Sequence, residues 1–399
     1  MVINEVMPEF VPGAKIKVIW VWGCWNKALN RMIQEGLDGV EFVAVNTDAQ
    51  DLASNLAQQK VNIWLNITKW LWAGANPDIW RKSAEEDEMN IKSVLQDTDM
   101  VFITAGMWGW TGTWAAPVVA NIAKEMGILT VGIVTKPFSF EGKKRAENAE
   151  EGLRRMKEVV DTLIVIPNDK IYNLVDKKTT FKQAFTMIDK VLYLGVQGIS
   201  DLIIKPGDIN IDFADIKNVM IGSGNALLWI GYGAGEKRAV DAAREAIENP
   251  LLETNLDGAK KVIFAVSGGN DLTPIEVQEA ASIVEEILDP EAEMIWWMSF
   301  DESFEDEVKV TIIATWFEEQ AKERVNVRTG SIWTNVSPTE KKINREAIQK
   351  QSDNYITRSL RDTEEIIDPV EKSNAPVEDD DTPAFVRRKM EQQANGLVK

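Results

Sequence analysis

The sequence predicts an α/β protein with two folded domains, followed by a linker and a tail. From residue 15 to about residue 201, short β-rich apolar runs alternate with helical stretches, the pattern of a parallel sheet covered by helices. A mixture of strands and helices follows, and beyond residue 318 the strand-forming runs end while charge rises. We expect a flexible N-terminus (1–13), a first domain (14–201), a second domain (202–318), a flexible linker (319–378) and a tail (379–399).

The first domain contains five clear strands and one long helix. The strands are predicted at residues 15–20, 41–45, 100–105, 129–135 and 162–166, with helices between them such as the charged stretch 81–96. This alternation predicts a doubly wound, Rossmann-like sheet. Apolar residues at near-helical spacing predict a long, mostly buried helix at 180–201, and they are Phe181, Phe185, Ile188, Leu192 and Val196.

The second domain is predicted to be an α+β unit. Its helices are expected near residues 236–248 and 273–288, and its strands at 261–266, 293–299 and 308–314.

Charge and hydropathy limit the partners of the chain. It carries 44 Lys and Arg against 63 Asp and Glu, a formal net charge of -19, which disfavours nonspecific binding to nucleic acid or to an anionic membrane. No apolar run approaches the roughly 20 residues that cross a bilayer, and the N-terminus lacks a basic-then-apolar signal pattern. We therefore expect a cytoplasmic protein with no nucleic-acid partner and no direct membrane insertion.

The residue types available for catalysis are few. The chain has no histidine, which excludes Ser-His and Cys-His nucleophile pairs. Its one cysteine, Cys24, excludes an internal disulfide and a cysteine-cluster metal site. Catalysis would therefore depend on carboxylates, backbone amides and a bound ion.

A first candidate phosphate site is the segment VIWVWGCWNKAL (18–29), a strand followed by a short turn and a helix start. Gly23 and Cys24 would offer backbone N–H groups to a phosphate, and Asn26 would open the helix whose positive end faces it. Junctions of this kind are common, so a purely structural role is equally open for this segment alone.

A second glycine-rich segment, AGMWGWTGTWAAP (105–117), also follows a strand and precedes a helix. It holds three Gly and two Thr within eight residues, namely Gly106, Gly109, Thr111, Gly112 and Thr113. Two phosphate-type turns after neighbouring strands rarely occur by chance. With glycine for its three tryptophans the segment would be AGMGGGTGTGAAP, the signature loop of the tubulin superfamily.

Further segments match the same superfamily. They are NTDAQDL (46–52), AGANPDI (73–79), KPFSFEGKKR (136–145), IPND (166–169) and GDINIDFADIKNVM (207–220). The chain thus resembles the FtsZ family of bacterial cell-division GTPases over residues 14–318. The resemblance implies GTP or GDP as ligand with Mg2+, GTP hydrolysis, head-to-tail self-assembly, and a cytoplasmic location in a ring at mid-cell.

The resemblance also implies roles for individual residues. Glu141 and Arg145 would contact ribose and phosphate, and the residues around the phosphates would be Gly23, Ala73, Gly74, Ala75, Gly106, Gly109, Thr111, Gly112 and Thr113. Asn168, Phe185 and Asp189 would contact the nucleoside, with Asp189 at guanine. A carboxylate suits that place because it can accept N–H bonds from both N1 and the exocyclic amine of guanine. Without the resemblance, Phe185 would be taken as a core residue.

A third set of candidate residues is Asn210, Asp212 and Asp215. Two Asp residues three apart often begin a helix, and Asp212 is a candidate N-cap. The resemblance implies instead that this loop enters the nucleotide pocket of the next subunit, where its carboxylates orient the attacking water. Hydrolysis would then depend on electrostatic positioning around Mg2+. No set of protein metal ligands is predicted.

The fifteen tryptophans are the main departure from the family pattern. Eleven stand where the family has glycine, and they are Trp20, Trp22, Trp25, Trp70, Trp72, Trp80, Trp108, Trp110, Trp114, Trp297 and Trp316, with Trp64 and Trp229 as further candidates. An indole would occupy the ligand's space in a phosphate loop. Some bacterial lineages read UGA as glycine, and a gene of that kind translated with the standard code would show this pattern. Cys24 and Lys27 are separate departures, Lys27 standing where the family usually has an Asn at the guanine.

The C-terminal tail has an apolar centre between opposite charges. Pro383, Phe385 and Val386 lie between three acidic residues, Asp379 to Asp381, and the basic residues Arg387 to Lys389. The resemblance implies that this segment, 379–389, binds division adaptors or membrane tethers.

Two other functions compete with a self-assembling GTPase. The first is a filament or scaffold protein without hydrolysis, which real tryptophans would favour. The second is a nicotinamide-dependent oxidoreductase, which requires an acidic residue at the end of the second strand, where Asn46 and Thr47 precede Asp48. The oxidoreductase hypothesis leaves the loop with Thr111 and Thr113 unexplained.

Overall fold

The computed structural model describes residues 13–22, 26–63, 86–173, 175, 178–205, 207–248, 258–302, 304 and 306–317. These residues belong to one compact unit, residues 1–328. The expected linker and tail, most of the expected N-terminus and the segment 73–75 lie outside the described residues. The proposed division at residues 201 and 202 stays a prediction.

The described residues include a seven-stranded parallel sheet in the order β3-β2-β1-β4-β5-β6-β7. Its strands are β1 (Ile16–Val21), β2 (Val40–Asn46), β3 (Gln59–Asn62), β4 (Met100–Gly106), β5 (Leu129–Lys136), β6 (Thr162–Pro167) and β7 (Gly224–Asn225). The order reverses between β1 and β4, which is the point where doubly wound sheets bind ligands. The five predicted strands are confirmed within a residue or two at each end.

Helices cover both faces of this sheet. They are α1 (Asn26–Glu35), α2 (Ala49–Ala53), α3 (Glu88–Val94), α4 (Trp110–Glu125), α5 (Lys143–Val159), α6 (Phe181–Ile204) and α7 (Phe213–Met220). Along β1 the side chains alternate between two cores: Val18 and Trp20 pack on the side of α1 and α6, and Ile19 packs on the side of α4 and α5. The predicted helix at 81–96 is confirmed for α3, and residues 81–85 lie outside the described residues.

The long helix α6 lies at the centre of the fold. Thr180 caps its start through a reciprocal pair with Gln183, and its 24 residues span about 36 Å. Ile188, Leu192 and Val196 are buried as the apolar spacing predicts. The prediction was wrong for Phe181, the first residue of α6, which is 68% exposed.

The second sheet has the order β10-β9-β11-β8. Its elements are β8 (Leu227–Ala234), α8 (Arg238–Ile247), β9 (Lys261–Gly268), α9 (Pro274–Glu285), β10 (Glu293–Phe300) and β11 (Glu307–Thr315). Strands β9 and β10 are parallel, and β11 runs antiparallel to β9 and β8. This confirms the α+β prediction.

Strand β8 was not predicted. Gly231 and Gly233 interrupt its apolar pattern, and both are required by packing. A Cβ at Gly231 would lie 2.0 Å from the carbonyl oxygen of Ala242, and one at Gly233 would lie 1.9 Å from that of Arg238. Helix α8 therefore contacts the backbone of β8 directly.

Candidate functional site

The carboxyl ends of β1, β4, β5 and β6 meet at one edge of the first sheet, and the predicted site residues of the second glycine-rich segment lie there. Gly106 is the last residue of β4, and Gly109 is the extended N-cap of α4. Thr111, Gly112 and Thr113 form the first turn of α4 and are buried. The first N–H groups of a helix have no partner within it, so this turn presents donors and the positive helix end to an anion.

The tight fold of this loop explains one of its glycines. A Cβ at Gly112 would lie 2.5 Å from the carbonyl oxygen of Gly106, so the loop and the first turn of α4 touch backbone to backbone. Within the described residues, the buried Thr113 Oγ1 has no hydrogen-bond partner. Buried hydroxyl groups are normally paired, and an unpaired one at a phosphate loop suits a ligand contact.

Two tryptophans fill the space against Gly106. A Cβ built there would lie 2.5 Å from the ring of Trp22 and 2.9 Å from Trp108 Nε1. Trp22 stacks on Trp20 with ring centroids 5.2 Å apart and meets Trp108 edge to face at 5.6 Å. The two indoles therefore lie directly against the backbone of this loop at Gly106.

Glu141 and Arg145 lie beside this loop. They form an ion pair with each other, and Glu141 Oε1 accepts a hydrogen bond from the Phe138 N–H at 2.9 Å. The Arg145 guanidinium lies 5.6 Å from the centre of the Trp108 ring. The structure thus places Glu141 and Arg145, the residues predicted to contact ribose and phosphate, beside the loop between β4 and α4.

The residues predicted to contact the nucleoside lie after β6 and on α6, near the loop that follows β5. Asn168 follows β6 and is 2% exposed, and within the described residues its Oδ1 has no hydrogen-bond partner. Phe185 on α6 is half-buried and contacts the Phe138 ring edge to face at 5.6 Å. Phe185 therefore borders the loop that carries Glu141, and Asp169, the residue after Asn168, accepts the Ser139 N–H of that loop at 2.9 Å.

Asp189 lies one turn further along α6 and is 6% exposed. Burial raises the pKa of Asp189 to about 7, and the nearby Arg31 guanidinium opposes that rise. Arg31 Nη1 is 2.5 Å from Asp189 Oδ2. Sequence reasoning missed Arg31, because no local pattern in the sequence indicates its contact with Asp189.

Asn210, Asp212 and Asp215 are exposed and lie at the other end of α6. Asn210 Oδ1 accepts the Gly207 N–H at 2.5 Å, and Asp212 caps α7 by accepting the Ala214 N–H at 3.4 Å. The predicted capping role of Asp212 is confirmed. From Asp189 to the end of α6 the helix rises about 22 Å. The structure therefore does not bring these three residues to the nucleotide loops of the same chain.

Some predicted positions are not described. Gly23, Cys24, Ala73, Gly74 and Ala75 lie outside the described residues, and of Asn26 only its place as the first residue of α1 is described. Among the described helices, none is both long enough and apolar enough to cross a membrane.

Comparison with known proteins decides the family. The model of the tubulin/FtsZ family GTPase domain matches residues 15–176, and that of the FtsZ family C-terminal domain matches residues 224–318. The structure of an empty FtsZ dimer from M. jannaschii is 45% identical, with a TM-score of 0.70, over 76% of this chain and 88% of that one. The chain belongs to the tubulin/FtsZ family. A mutant of M. jannaschii FtsZ in which one tryptophan is replaced by tyrosine is 43% identical, with a TM-score of 0.70, over 76% of this chain and 92% of that one.

A more distant match agrees on the fold alone. The GTPγS-bound protofilament of CetZ2 from Haloferax volcanii is 18% identical, with a TM-score of 0.65, over 87% of this chain and 99% of that one. Members of the tubulin/FtsZ family are GTPases, so membership of the family implies binding of GTP or GDP. Membership of this family leaves the nicotinamide hypothesis without support. The side chain of Asn46, at the end of β2, makes local hydrogen bonds: its Nδ2 donates to Asp51, and its Oδ1 accepts from the Asp48 N–H.

Proposed function

We propose that the cellular protein is a cytoplasmic GTPase that assembles head to tail into the protofilaments of a bacterial cell-division ring. The observation that carries this proposal is the separation along α6. The nucleoside residues lie at its start, and Asn210, Asp212 and Asp215 follow its end. Because one chain cannot bring both sets together, a second copy completes the site.

The residues suggest how hydrolysis would proceed. The first turn of α4 binds the phosphates through its N–H groups, and Asp189 accepts the guanine N–H bonds. Asp212 and Asp215 of the next subunit orient the attacking water. Mg2+ would neutralise charge that develops on the phosphate oxygens.

Two relatives support assembly. The M. jannaschii FtsZ structure is a dimer, and the CetZ2 structure is a protofilament. The test is GTP turnover per subunit as a function of protein concentration, followed together with sedimentation of polymer. A cooperative rise in both supports the proposal, and full turnover in a dilute, monomeric sample contradicts it.

We also propose that this cellular protein carries glycine at the eleven family-glycine positions now written as tryptophan. Backbone conformation supports this at Trp316, whose φ is +59°. A bulky residue in that region is an outlier, whereas glycine adopts it freely.

Buried indole groups support it at three more positions. Trp20, Trp114 and Trp297 are each at most 6% exposed, and their Nε1 atoms have no hydrogen-bond partner among the described residues. Each buried N–H of this kind costs about 1–3 kcal/mol. One replacement type at so many positions is expected from UGA codons read as tryptophan, since random drift would introduce varied residues.

Mass spectrometry of the native protein decides this point. Peptides that cover Trp22, Trp108 and Trp297 should have the mass of their glycine forms, while Trp296 and Trp333, which are outside the family-glycine set, should remain tryptophan. Tryptophan at all of these positions would instead favour the scaffold protein without hydrolysis.

The tail proposal is independent of the nucleotide site. Phe385 and Val386 are apolar residues with Pro383 two positions before Phe385, so a hydrophobic groove on a division adaptor could bind them at reduced entropic cost. We expect modest affinity that depends on Phe385 more than on any single charge. Capture of adaptors by the peptide 379–399 should fail for F385A, and an unchanged partner set would show that Phe385 is not the anchor.

A further inference from the structure

Asp189 is held by a cation from a different helix. Its carboxylate is buried on α6, and Arg31 Nη1 from α1 lies 2.5 Å from its Oδ2. The Arg31 side chain is 29% exposed, so the pair lies at the margin of the core rather than in open solvent. A buried carboxylate needs such a partner, because desolvation otherwise favours its protonated form.

The protonation state matters for the ligand proposed above. An ionised carboxylate is only an acceptor, and each oxygen has two acceptor positions, so Oδ2 can accept from Arg31 while the group accepts two N–H bonds from guanine. A protonated carboxyl carries a donor and loses that match. We infer that Arg31 is a positioning residue for guanine recognition, which keeps Asp189 ionised and fixes its orientation; this rests on the proposed function.

The surrounding groups make Arg31 the charge that decides this. From α1, Glu35 acts in the opposite direction and raises the pKa of Asp189. On α6, burial raises the pKa of Tyr193 to about 12, so Tyr193 stays neutral. Lys27 is also on α1, and its side chain lies outside the described residues.

The sign of the pH effect follows. Burial raises the pKa of Asp189 from 3.8 to about 7, so the unliganded protein holds a proton there below that pH. Guanine binding requires its loss, so GTP affinity should rise with pH up to about 7 and then level off. Without Arg31 the pKa of Asp189 moves higher, and the level region begins at higher pH.

The test uses the full-length protein with glycine at the eleven positions and measures the dissociation constant of GTP from pH 6 to pH 8.5, below the range in which guanine N1 loses its proton. R31M and R31Q should both bind GTP about five- to tenfold more weakly at pH 7, since one pKa unit is about a tenfold change in the ionised fraction, and should recover most of that loss by pH 8.5. R31K should stay near the parent. Inosine triphosphate, which lacks the exocyclic amine, should lose less affinity than GTP in R31M.

Y193F is the matched control. The Tyr193 hydroxyl donates to the carbonyl of Gly36, the residue after α1, at 3.3 Å and so joins α6 to the end of α1 without adding charge at Asp189. Y193F should keep the parent's pH profile. A loss in R31Q that is uniform across pH, or the same shift in Y193F, would overturn the inference and leave Arg31 a structural tie. If the parent itself fails to bind GTP at every pH, the proposed function fails instead.

Discussion

Trp316 lies in the left-handed region of backbone conformation, as do Asp97 and Asp306 among the described residues other than glycine. Asp tolerates this region and tryptophan does not. Two contacts stabilise Trp316 in this position: its Nε1 donates to the Val219 carbonyl at 2.9 Å, and its ring lies 5.7 Å from Lys261 Nζ. The free-energy cost of the left-handed backbone and the stabilisation from these exposed contacts are of similar magnitude.

We therefore expect W316G to change the free energy of unfolding by less than about 1 kcal/mol, since relief of about 1–2 kcal/mol of left-handed strain offsets the lost contacts. The control is Trp296, which has regular strand geometry and packs on Phe264 at 4.9 Å. W296G should lower the free energy of unfolding by about 3 kcal/mol or more. Equal losses in the two variants, measured by chemical denaturation, would refute the argument that the backbone at position 316 favours glycine.

The second residue-scale prediction concerns Trp22 and Trp108. Because both indoles lie against Gly106, the chain with these tryptophans should bind GTP poorly. Replacing both of them, and the other phosphate-loop tryptophans, by glycine should restore binding. Titration with a fluorescent GTP analogue checks this. W296G is again the control and should restore nothing. Equally tight binding before and after replacement would contradict the steric argument.

Residue order predicted where several candidate residues lie. Thr113, Glu141 and Asn168 follow β4, β5 and β6 at one edge of the sheet, as the strand-turn-helix pattern indicates. The sequence did not predict Arg31, because its contact with Asp189 joins residues 158 positions apart, and no local pattern contains such a pairing.

At the scale of elements, the contact of α8 with β8 shows why one strand was missed. The glycines that weaken the strand pattern at positions 231 and 233 are the residues that let the helix approach. Their reason lies in tertiary contact, which strand propensity does not include.

We predict that G231A lowers the free energy of unfolding by about 3 kcal/mol, because its Cβ would meet the backbone of α8 at Ala242 and Ala246, which cannot rotate away. G195A is the matched control on α6. There a Cβ would lie 3.5 Å from Ile133, an ordinary contact, and the change should stabilise the helix by up to about 1 kcal/mol. Denaturant unfolding of the two variants checks both signs, and a neutral G231A would show that α8 can shift.

At the scale of the whole molecule, α6 separates the predicted nucleoside residues from Asn210, Asp212 and Asp215. Its apolar spacing predicted the helix, and its length follows from the absence of a break before Pro206. The two sets of predicted site residues lie toward opposite ends of α6. Spacing alone could not predict this, because it depends on how α6 crosses the sheet.

This separation gives the last prediction, a complementation between two defective subunits. In the glycine-containing protein, D212A should bind GTP nearly normally and lose most turnover, because its own loop acts only on a neighbour. The chain that retains Trp22 and Trp108 should not bind GTP but keeps Asp212. In a mixture, the loop of the tryptophan-bearing subunit can act on GTP held by the D212A subunit, so turnover should reappear although each sample alone is nearly inactive.

A D212A variant of the tryptophan-bearing chain is the control and should restore nothing. Phosphate release measured at constant total protein while the ratio varies should peak at a mixed composition. No recovery at any ratio, or full turnover by dilute D212A alone, would show that Asp212 does not act between subunits.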